Sequence, residues 1–195
     1  MEELERIIQK IEEHRLDFDR CTPYLKHINE GCWKDITSGE ANYYKYFASM
    51  MEVLKPKQVV ELGGSAGVCS LMILSHLPND SRLYSISIPE PEIEFRFIKE
   101  DYPNLTMIRG NDLDMNNWKD VDLSKTDICF IDTDHNYWQV HQEIELYFPK
   151  FKPGTLVFFD DIDLNDDMKR VWKEVPGTKL SLPTWHWSGF GVTRI

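Results

Sequence analysis

The stretch VVELGGSAGVCSLMIL, Val59 to Leu74, joins a short apolar run to a helical run through a glycine loop. Two interpretations fit this loop. Gly63-Gly64-Ser65-Ala66-Gly67 matches G-x-S-x-G, the turn that presents a serine nucleophile between a strand and a helix. Led by Glu61, the same residues also form a loop in which a ligand can approach the backbone at a helix N-terminus. The elements around the loop are needed to decide between them.

Strand and helix patterns alternate along most of the chain. Apolar, β-branched runs predict strands over Gln58–Leu62, Arg82–Ile88, Leu105–Arg109, Asp127–Asp132 and Thr155–Asp160. Helical spacing predicts a helix in the first dozen residues and others over Ala41–Leu54, Ala66–Leu77, Glu92–Asp101, Tyr137–Phe148 and Asp166–Glu174. Such alternation is typical of a parallel sheet covered by helices on both faces.

The C-terminal part departs from this alternation. Thr178–Leu182 and Gly189–Ile195 are two predicted strands without a helix between them, which indicates a hairpin at one edge of the sheet. No linker, repeat or low-complexity segment divides the chain. We therefore expect a single α/β domain over residues 1–195, with a doubly wound, mostly parallel sheet of seven strands and an antiparallel C-terminal hairpin. Within it, residues 1–54 are expected to form a helical cap over the active site.

Composition and charge restrict the partners. Of 195 residues, 42% are hydrophobic and 28% charged, which is ordinary for a soluble globular protein. The net charge of −11 disfavours nucleic acid and anionic membranes as partners, so a small molecule is the expected substrate. No apolar run reaches transmembrane length, and the acidic amphipathic N-terminus is unlike a signal peptide. The four cysteines show no C-x-x-C spacing, and a cytoplasmic location is expected.

The position of the glycine loop favours ligand binding over nucleophilic catalysis. In α/β-hydrolases several strands precede the nucleophile, whereas Ser65 follows the first predicted strand. In open parallel sheets, ligands bind beyond the carboxyl ends of the strands, near the point where the strand order reverses. A dinucleotide fingerprint needs G-x-G-x-x-G, and Gly63-Gly64-x-x-Gly67 lacks that spacing.

The sequence E-L-G-G-S-A-G, from Glu61 to Gly67, resembles the first motif of the class I S-adenosylmethionine-dependent methyltransferases, a group with a Rossmann-like fold. The resemblance implies that S-adenosylmethionine (SAM) lies against Glu61, Gly63, Gly64, Ser65 and Gly67. At the end of the second strand these enzymes usually carry an acid for the ribose; here the corresponding residue is Ser87, with Glu90 as an alternative. Asp112, or Asn111 beside it, follows the third strand and is expected to hold the adenine amine.

Acidic residues end two consecutive predicted strands. DICFIDTDHNYW places Asp132 after the fourth strand, and TLVFFDDID places Asp160 and Asp161 after the fifth. Consecutive strands of this kind usually lie side by side, about 4.8 Å apart. Three neighbouring carboxylates repel one another unless a cation compensates them, and Mg²⁺ takes such oxygen ligands. The alternative is that the acids solvate loops or cap helices, as Asp134 could for Tyr137–Phe148.

This arrangement resembles the metal-dependent O-methyltransferases, both the catechol type and those acting on macrolide sugars. The resemblance implies Asp132, Asp160 and Asp161 as Mg²⁺ ligands, with Asp132 also beside the cofactor. It implies His135, three positions after Asp132, as the base that takes a proton from the acceptor. The Asp-Asp pair agrees better with the sugar-methylating group, since catechol-type enzymes usually have Asp-Asn. The implied acceptor is a hydroxyl of a sugar or phenol with a neighbouring oxygen.

Three rival functions stay open at this point. One is a metal-independent methyltransferase of the same fold, and another is a serine hydrolase using Ser65, an aspartate and His186. The third is a non-catalytic module that only binds the cofactor. The Trp185-His186-Trp187 cluster either floors a substrate pocket or packs at the sheet edge. The sequence does not determine the acceptor or the oligomeric state, for which a homodimer is one option.

Overall fold

A computed structural model describes residues 1–21, 23, 34, 41–65, 67–88 and 102–195. Within these ranges the helices are α1 (Glu2–Glu12), α2 (Tyr43–Leu54), α3 (Val68–His76), α4 (Tyr137–Tyr147) and α5 (Asp166–Glu174). The strands are β1 (Gln58–Leu62), β2 (Arg82–Ser87), β3 (Leu105–Arg109), β4 (Ile128–Ile131), β5 (Leu156–Asp160), β6 (Thr178–Ser181) and β7 (Phe190–Arg194). The predicted helix Glu92–Asp101 and the alternative ribose ligand Glu90 lie outside the described residues.

The seven strands form one sheet in the order β3-β2-β1-β4-β5-β7-β6. Strands β1 to β5 are parallel, and β7 is inserted antiparallel between β5 and β6. The predicted α/β fold with a C-terminal antiparallel hairpin is therefore confirmed. The strand order reverses between β1 and β4, so the loops after these two strands diverge to opposite faces and open a crevice.

The register aligns the carboxyl ends of the three central strands. Leu62 of β1 lies beside Ile131 of β4, and Ile131 lies beside Phe159 of β5. The next residues along each strand are Gly63, Asp132 and Asp160. The glycine loop and the acidic strand ends therefore leave the sheet side by side, at the same edge.

Most element boundaries agree with the prediction to within one or two residues. β1, β3 and α5 have the predicted limits, and the other matched elements are shorter at one or both ends. α2 begins at Tyr43 because Ala41 instead bridges to His186. It ends at Leu54, since Lys55 adopts a left-handed conformation (φ 50°) directly before Pro56.

One capping alternative was wrong. The side chain that accepts the free N–H at the start of α4 is Asn136, whose oxygen lies 2.9 Å from the nitrogen of Gln139. Asp134 does not cap this helix. Asn136 can cap the helix because its backbone is extended (φ −132°, ψ 151°), and this geometry directs the side chain back towards the first helical turn.

Alternate residues of the strands face two separate apolar layers. On one face, β-strand residues such as Val59 and Phe130 pack with α1, α2 and α3, and on the other, Val60 and Ile131 pack with α4 and α5. Burying each large apolar side chain stabilises the fold by roughly 1.5–3 kcal/mol. With helices on both faces, the carboxyl edge of the sheet is where a site can open.

The N-terminal helices meet the C-terminal hairpin. Glu12 of α1 accepts a 2.8 Å hydrogen bond from the indole N–H of Trp185, and the backbone N–H of Tyr43 donates to the carbonyl of Trp185 at 3.0 Å. Trp185 itself is fully buried, which favours the sheet-edge interpretation of that tryptophan. The cap over the active site stays a prediction, because much of residues 22–40 falls outside the described ranges.

Three cysteines, Cys21, Cys69 and Cys129, are buried free thiols, as expected for small hydrophobic residues. Among the helices the structure describes, none has the length and apolar character needed to cross a bilayer.

Candidate active site

Glycines build the turn after β1. Gly63 (φ 91°) and Gly67 (φ 78°) adopt the positive φ angles expected for them. A Cβ atom on Gly63 would lie 1.7 Å from the carbonyl oxygen of Asp132, and one on Gly64 would lie 2.1 Å from Oγ of Ser85. The turn can therefore pack this closely against β4 and β2 only because positions 63 and 64 are glycines.

Glu61 lies below this turn. It is 1% exposed, and its carboxyl group accepts a hydrogen bond from the hydroxyl of Ser70 in the first turn of α3. Burial raises the pKa of Glu61. The side chain thus ties β1 to α3, and its predicted contact with the cofactor stays a prediction.

Ser65 is exposed at the tip of the turn, with φ 37°. A serine nucleophile needs a histidine within hydrogen-bond reach to take its proton. Among the described residues, no hydrogen bond joins Ser65 to a histidine. His186, the base of the hydrolase interpretation, contacts Asp160 as a triad histidine would, but the hydroxyl beside it belongs to Ser188.

A cavity of about 370 Å³ opens beyond the carboxyl ends of β1 to β4. Its walls bring together most of the predicted cofactor residues and the predicted base: Gly63, Ser65, Ser87, Asp112, Asp132 and His135. Glu61, Gly64 and Gly67 are not among the residues that line it. Gln139, which was not predicted from the sequence, also lines the cavity and donates a hydrogen bond to Asp112.

The three predicted metal ligands and His135 form a cluster next to this cavity. Nε2 of His135 lies 2.8 Å from Oδ2 of Asp161 and 3.6 Å from Oδ1 of Asp132. Asp161 is buried and has φ 58°, a left-handed conformation that aspartate tolerates better than most residues. Its backbone N–H donates to Oδ1 of Asp160 at 2.9 Å, which helps to fix the carboxylate of Asp160.

His186 belongs to the same cluster, and the sequence analysis did not assign it there. Its Nδ1 lies 2.6 Å from Oδ1 of Asp160, 3.7 Å from Oδ1 of Asp161 and 3.0 Å from the hydroxyl of Ser188. The hairpin delivers it because Asp160 pairs with Phe190 of β7, which brings the loop before β7 over the end of β5. The Trp-His-Trp motif was the one local signal that pointed to this loop.

Burial and mutual charge shift the pKa values of the cluster. Burial raises the pKa of Asp160 to about 7, although its hydrogen bond to His186 acts in the opposite direction. Burial also acts to raise the pKa of Asp161, but the hydrogen bonds from His135 and Ser188 outweigh it, so that pKa is lowered. Hydrogen bonds to Asp132 and Asp161 raise the pKa of His135 to about 10, well above the unperturbed value assumed from sequence.

The donor atoms fit a divalent cation. One carboxylate or imidazole atom from each of Asp132, His135 and Asp161 lies within 4.8 Å of the others, and the same holds for Asp160, Asp161 and His186. Carboxylate oxygens suit Mg²⁺ and Mn²⁺, and imidazole nitrogens add affinity for transition metals. Asp161 belongs to both groups, so the two candidate sites adjoin each other, each with one histidine.

Three solved structures with the same fold are named as methyltransferases. The O-methyltransferase TomG from Streptomyces achromogenes, solved with SAM, is 18% identical, with 93% of this chain and 91% of that chain covered and a TM-score of 0.68. An O-methyltransferase from Bacillus cereus, solved with S-adenosylhomocysteine (SAH), is 12% identical, with 96% of each chain covered and a TM-score of 0.67. A methyltransferase from Podospora anserina with bound SAH is 14% identical, with 100% and 96% covered and a TM-score of 0.64.

A comparison with curated proteins finds no match. Among family models, one described as a methyltransferase domain matches residues 60–162, just over half of the chain. These residues contain both the glycine loop and the three aspartates. The chain belongs to this methyltransferase domain family, and it has the class I fold of SAM-dependent methyltransferases.

Proposed function

We propose that this protein transfers the methyl group of SAM to a hydroxyl of a small molecule, assisted by a divalent cation, Mg²⁺ being the expected one. The observation that supports this most directly is the position of the acidic cluster. Asp132 lines the cavity next to the glycine loop and also lies 3.6 Å from His135, which in turn contacts Asp161. Methyl donor and acceptor would then meet at Asp132. The structural neighbours named O-methyltransferases agree with this assignment.

The cavity residues would hold and orient the cofactor. Gly63 leaves the backbone open, Ser65 and Ser87 offer hydroxyls, and Asp112 offers a carboxylate for the adenine amine. Fixing donor and acceptor in line for displacement at the methyl carbon is the main catalytic contribution such a site can make.

Asp132, Asp160 and Asp161 would hold the cation. When bound, the cation supplies positive charge that holds two neighbouring acceptor oxygens and lowers the pKa of one hydroxyl. A sugar or phenol with adjacent oxygens meets that requirement. His186 would complete the site from the hairpin, either as a further ligand or by holding Asp160 in place.

His135 is placed to accept the proton of that hydroxyl. With the two carboxylates unopposed its pKa is about 10, so the ring would carry a proton near neutral pH and could not act as a base. It becomes a base once another positive charge offsets Asp132 and Asp161.

The test combines binding and turnover. We expect calorimetry to detect SAH binding, and methyl transfer to a panel of catechols and sugars to stop with EDTA and return with Mg²⁺. His135→Ala should lower kcat by about 10²- to 10⁴-fold. His141→Ala is the matched control, because His141 stacks on Tyr137 away from the cluster.

Each rival predicts a different result. Turnover that survives EDTA would support a metal-independent enzyme, and labelling of Ser65 by a fluorophosphonate would support a hydrolase. SAH binding without turnover on any hydroxyl would leave only a cofactor-binding module. For the acids, Asp161→Ala should abolish the Mg²⁺ response, whereas the exposed Asp163→Ala should not.

A further inference from the structure

We propose that Glu143 is a positioning residue: from behind the cavity it orients Gln139 and, through Gln139, the carboxylate of Asp112 that selects the purine ring of the cofactor. The inference rests on the proposed function, since it takes the cavity as the SAM site. It concerns a residue that neither the motif analysis nor the acidic cluster includes.

The surroundings of Glu143 are unusual for a carboxyl group. It lies on α4 and is 0% exposed. Its Oε1 accepts hydrogen bonds from the hydroxyl of Thr133 at 2.7 Å and from Nε2 of Gln139 at 2.8 Å. Its Oε2 is buried without a hydrogen-bond partner, and no salt bridge to it is found among the residues described. A buried oxygen without a hydrogen bond destabilises the fold, so stability alone does not explain why a carboxyl group occupies this position.

Gln139 connects this buried acid to the cavity wall. Its Nε2 contacts Oε1 of Glu143 and both carboxylate oxygens of Asp112, at 3.0 and 3.3 Å. The amide nitrogen has two hydrogens, so one can point to each acid. With an acceptor on both sides, only the nitrogen of the amide can occupy this position. The orientation of Gln139, and with it that of Asp112, is therefore determined by Glu143.

Asp112 is held at a second point. Its carbonyl oxygen accepts a 2.6 Å hydrogen bond from the hydroxyl of Tyr147, one turn further along α4. Backbone and side chain of Asp112 are thus both fixed by α4, and the carboxylate lines the cavity at the place expected for the adenine amine. A hydrogen-bond acceptor fixed at that point distinguishes a purine with an amine from one with a carbonyl oxygen.

The same oxygen of Glu143 also contacts the segment that carries the acidic cluster. Thr133, which donates to Oε1, directly follows Asp132 of the acidic cluster. One buried carboxyl group therefore restrains both the purine end of the cavity and the segment that carries the first acid. This position explains why a polar side chain occupies an otherwise apolar helix face, next to Val140 and Ile144.

Glu143 can fill this role as a neutral acid. Burial and the nearby charge of Asp112 together raise the pKa of Glu143 well above its ordinary value. A neutral carboxyl group can be buried without a cation, and a glutamine has the same shape and charge. Glu143→Gln is therefore the conservative variant, whereas Glu143→Leu removes the acceptor for both Thr133 and Gln139.

The experiment compares two ligands that differ in the purine amine. Calorimetry measures SAH and S-inosylhomocysteine, in which an oxygen replaces that amine, on wild type, Glu143→Gln, Glu143→Leu and the exposed control Glu145→Leu. S-inosylhomocysteine cannot donate a hydrogen bond from this position to the carboxylate of Asp112, so we expect wild type to bind SAH about tenfold or more tightly. Glu143→Gln and Glu145→Leu should keep that preference, and Glu143→Leu should bring the two affinities close together.

A merely structural role predicts a different pattern. Damage to the fold would weaken both ligands by the same factor, and that result in Glu143→Leu would overturn the inference. Loss of the preference in Glu143→Gln would also overturn it. If Glu143→Leu does not fold, Gln139→Leu takes its place and must likewise lose the preference. Wild type that binds neither ligand would refute the proposed function itself, whereas wild type that binds both equally would refute only the inference.

Discussion

Replacing Gly63 with alanine tests the steric basis of the loop after β1. The backbone at Gly63 has φ 91°, and a Cβ atom there would lie 1.7 Å from the carbonyl oxygen and 2.5 Å from the carbonyl carbon of Asp132. The positive φ alone costs about 1–2 kcal/mol with a side chain present. Overlap with backbone atoms, which cannot rotate away, adds about 1–3 kcal/mol. We expect Gly63→Ala to lose about 2–5 kcal/mol of a total stability of roughly 5–15 kcal/mol.

Gly154→Ala separates the two contributions. Gly154 has nearly the same backbone angle, φ 93°, but the nearest atom to its added Cβ would be the guanidinium nitrogen of Arg194 at 3.8 Å. This variant should therefore show only the cost of the positive φ, about 1–2 kcal/mol. Urea denaturation of both variants, monitored by tryptophan fluorescence, gives the two losses and their difference.

Gly63→Ala should also weaken SAH binding, because the added methyl group must displace Asp132, which lines the cavity. Gly154→Ala, at the opposite end of the strands, should bind SAH as wild type does. If Gly63→Ala is no less stable than Gly154→Ala, the close packing of the loop on β4 is refuted as the reason for glycine. A normal SAH affinity in a destabilised Gly63→Ala would show that the position of Asp132 does not matter for the cofactor.

Three further predictions concern stability. Burial acts to raise the pKa of Asp127, but its hydrogen bonds from Lys152 and from two backbone N–H groups outweigh this and lower it. That stabilisation is present above the unfolded-state pKa of about 4 and is lost as the pH falls through the folded-state pKa. Urea midpoints of wild type and Asp127→Asn should therefore differ at pH 7, and the difference should shrink as the pH falls below about 4; a constant difference would contradict this. Asn136→Ala should cost about 1 kcal/mol in the same assay by removing the cap of α4, and no loss would contradict the capping role. Tyr147→Phe leaves the carbonyl of Asp112 without its 2.6 Å hydrogen bond and should cost about 1–3 kcal/mol; a variant as stable as wild type would show that another donor replaces it.

Local patterns were sufficient for the architecture. Short apolar runs ending at Leu62, at Asp132 and at Asp160, with helical segments between them, predicted the parallel sheet and its helices. The carboxyl ends of parallel strands share one edge of the sheet, so the acids at two of those ends were predicted to lie close together. His135 was predicted from the resemblance to the metal-dependent O-methyltransferases, which have a basic residue three positions after the first metal aspartate.

The tertiary structure decided what depends on contacts between distant segments. His186 joins the acids only because β7 pairs antiparallel with β5 in a register that sets Asp160 opposite Phe190, and no local pattern encodes a register. The role of Glu143 depends on which face of α4 is covered by the sheet, and the pKa of His135 on two carboxylates that folding brings against it. Hydrophobic periodicity involves residues close together in the chain, so it could be recognised in the sequence. Burial and electrostatic potential at the site depend on residues that are far apart in the chain and come together only on folding, so only the tertiary structure determines them.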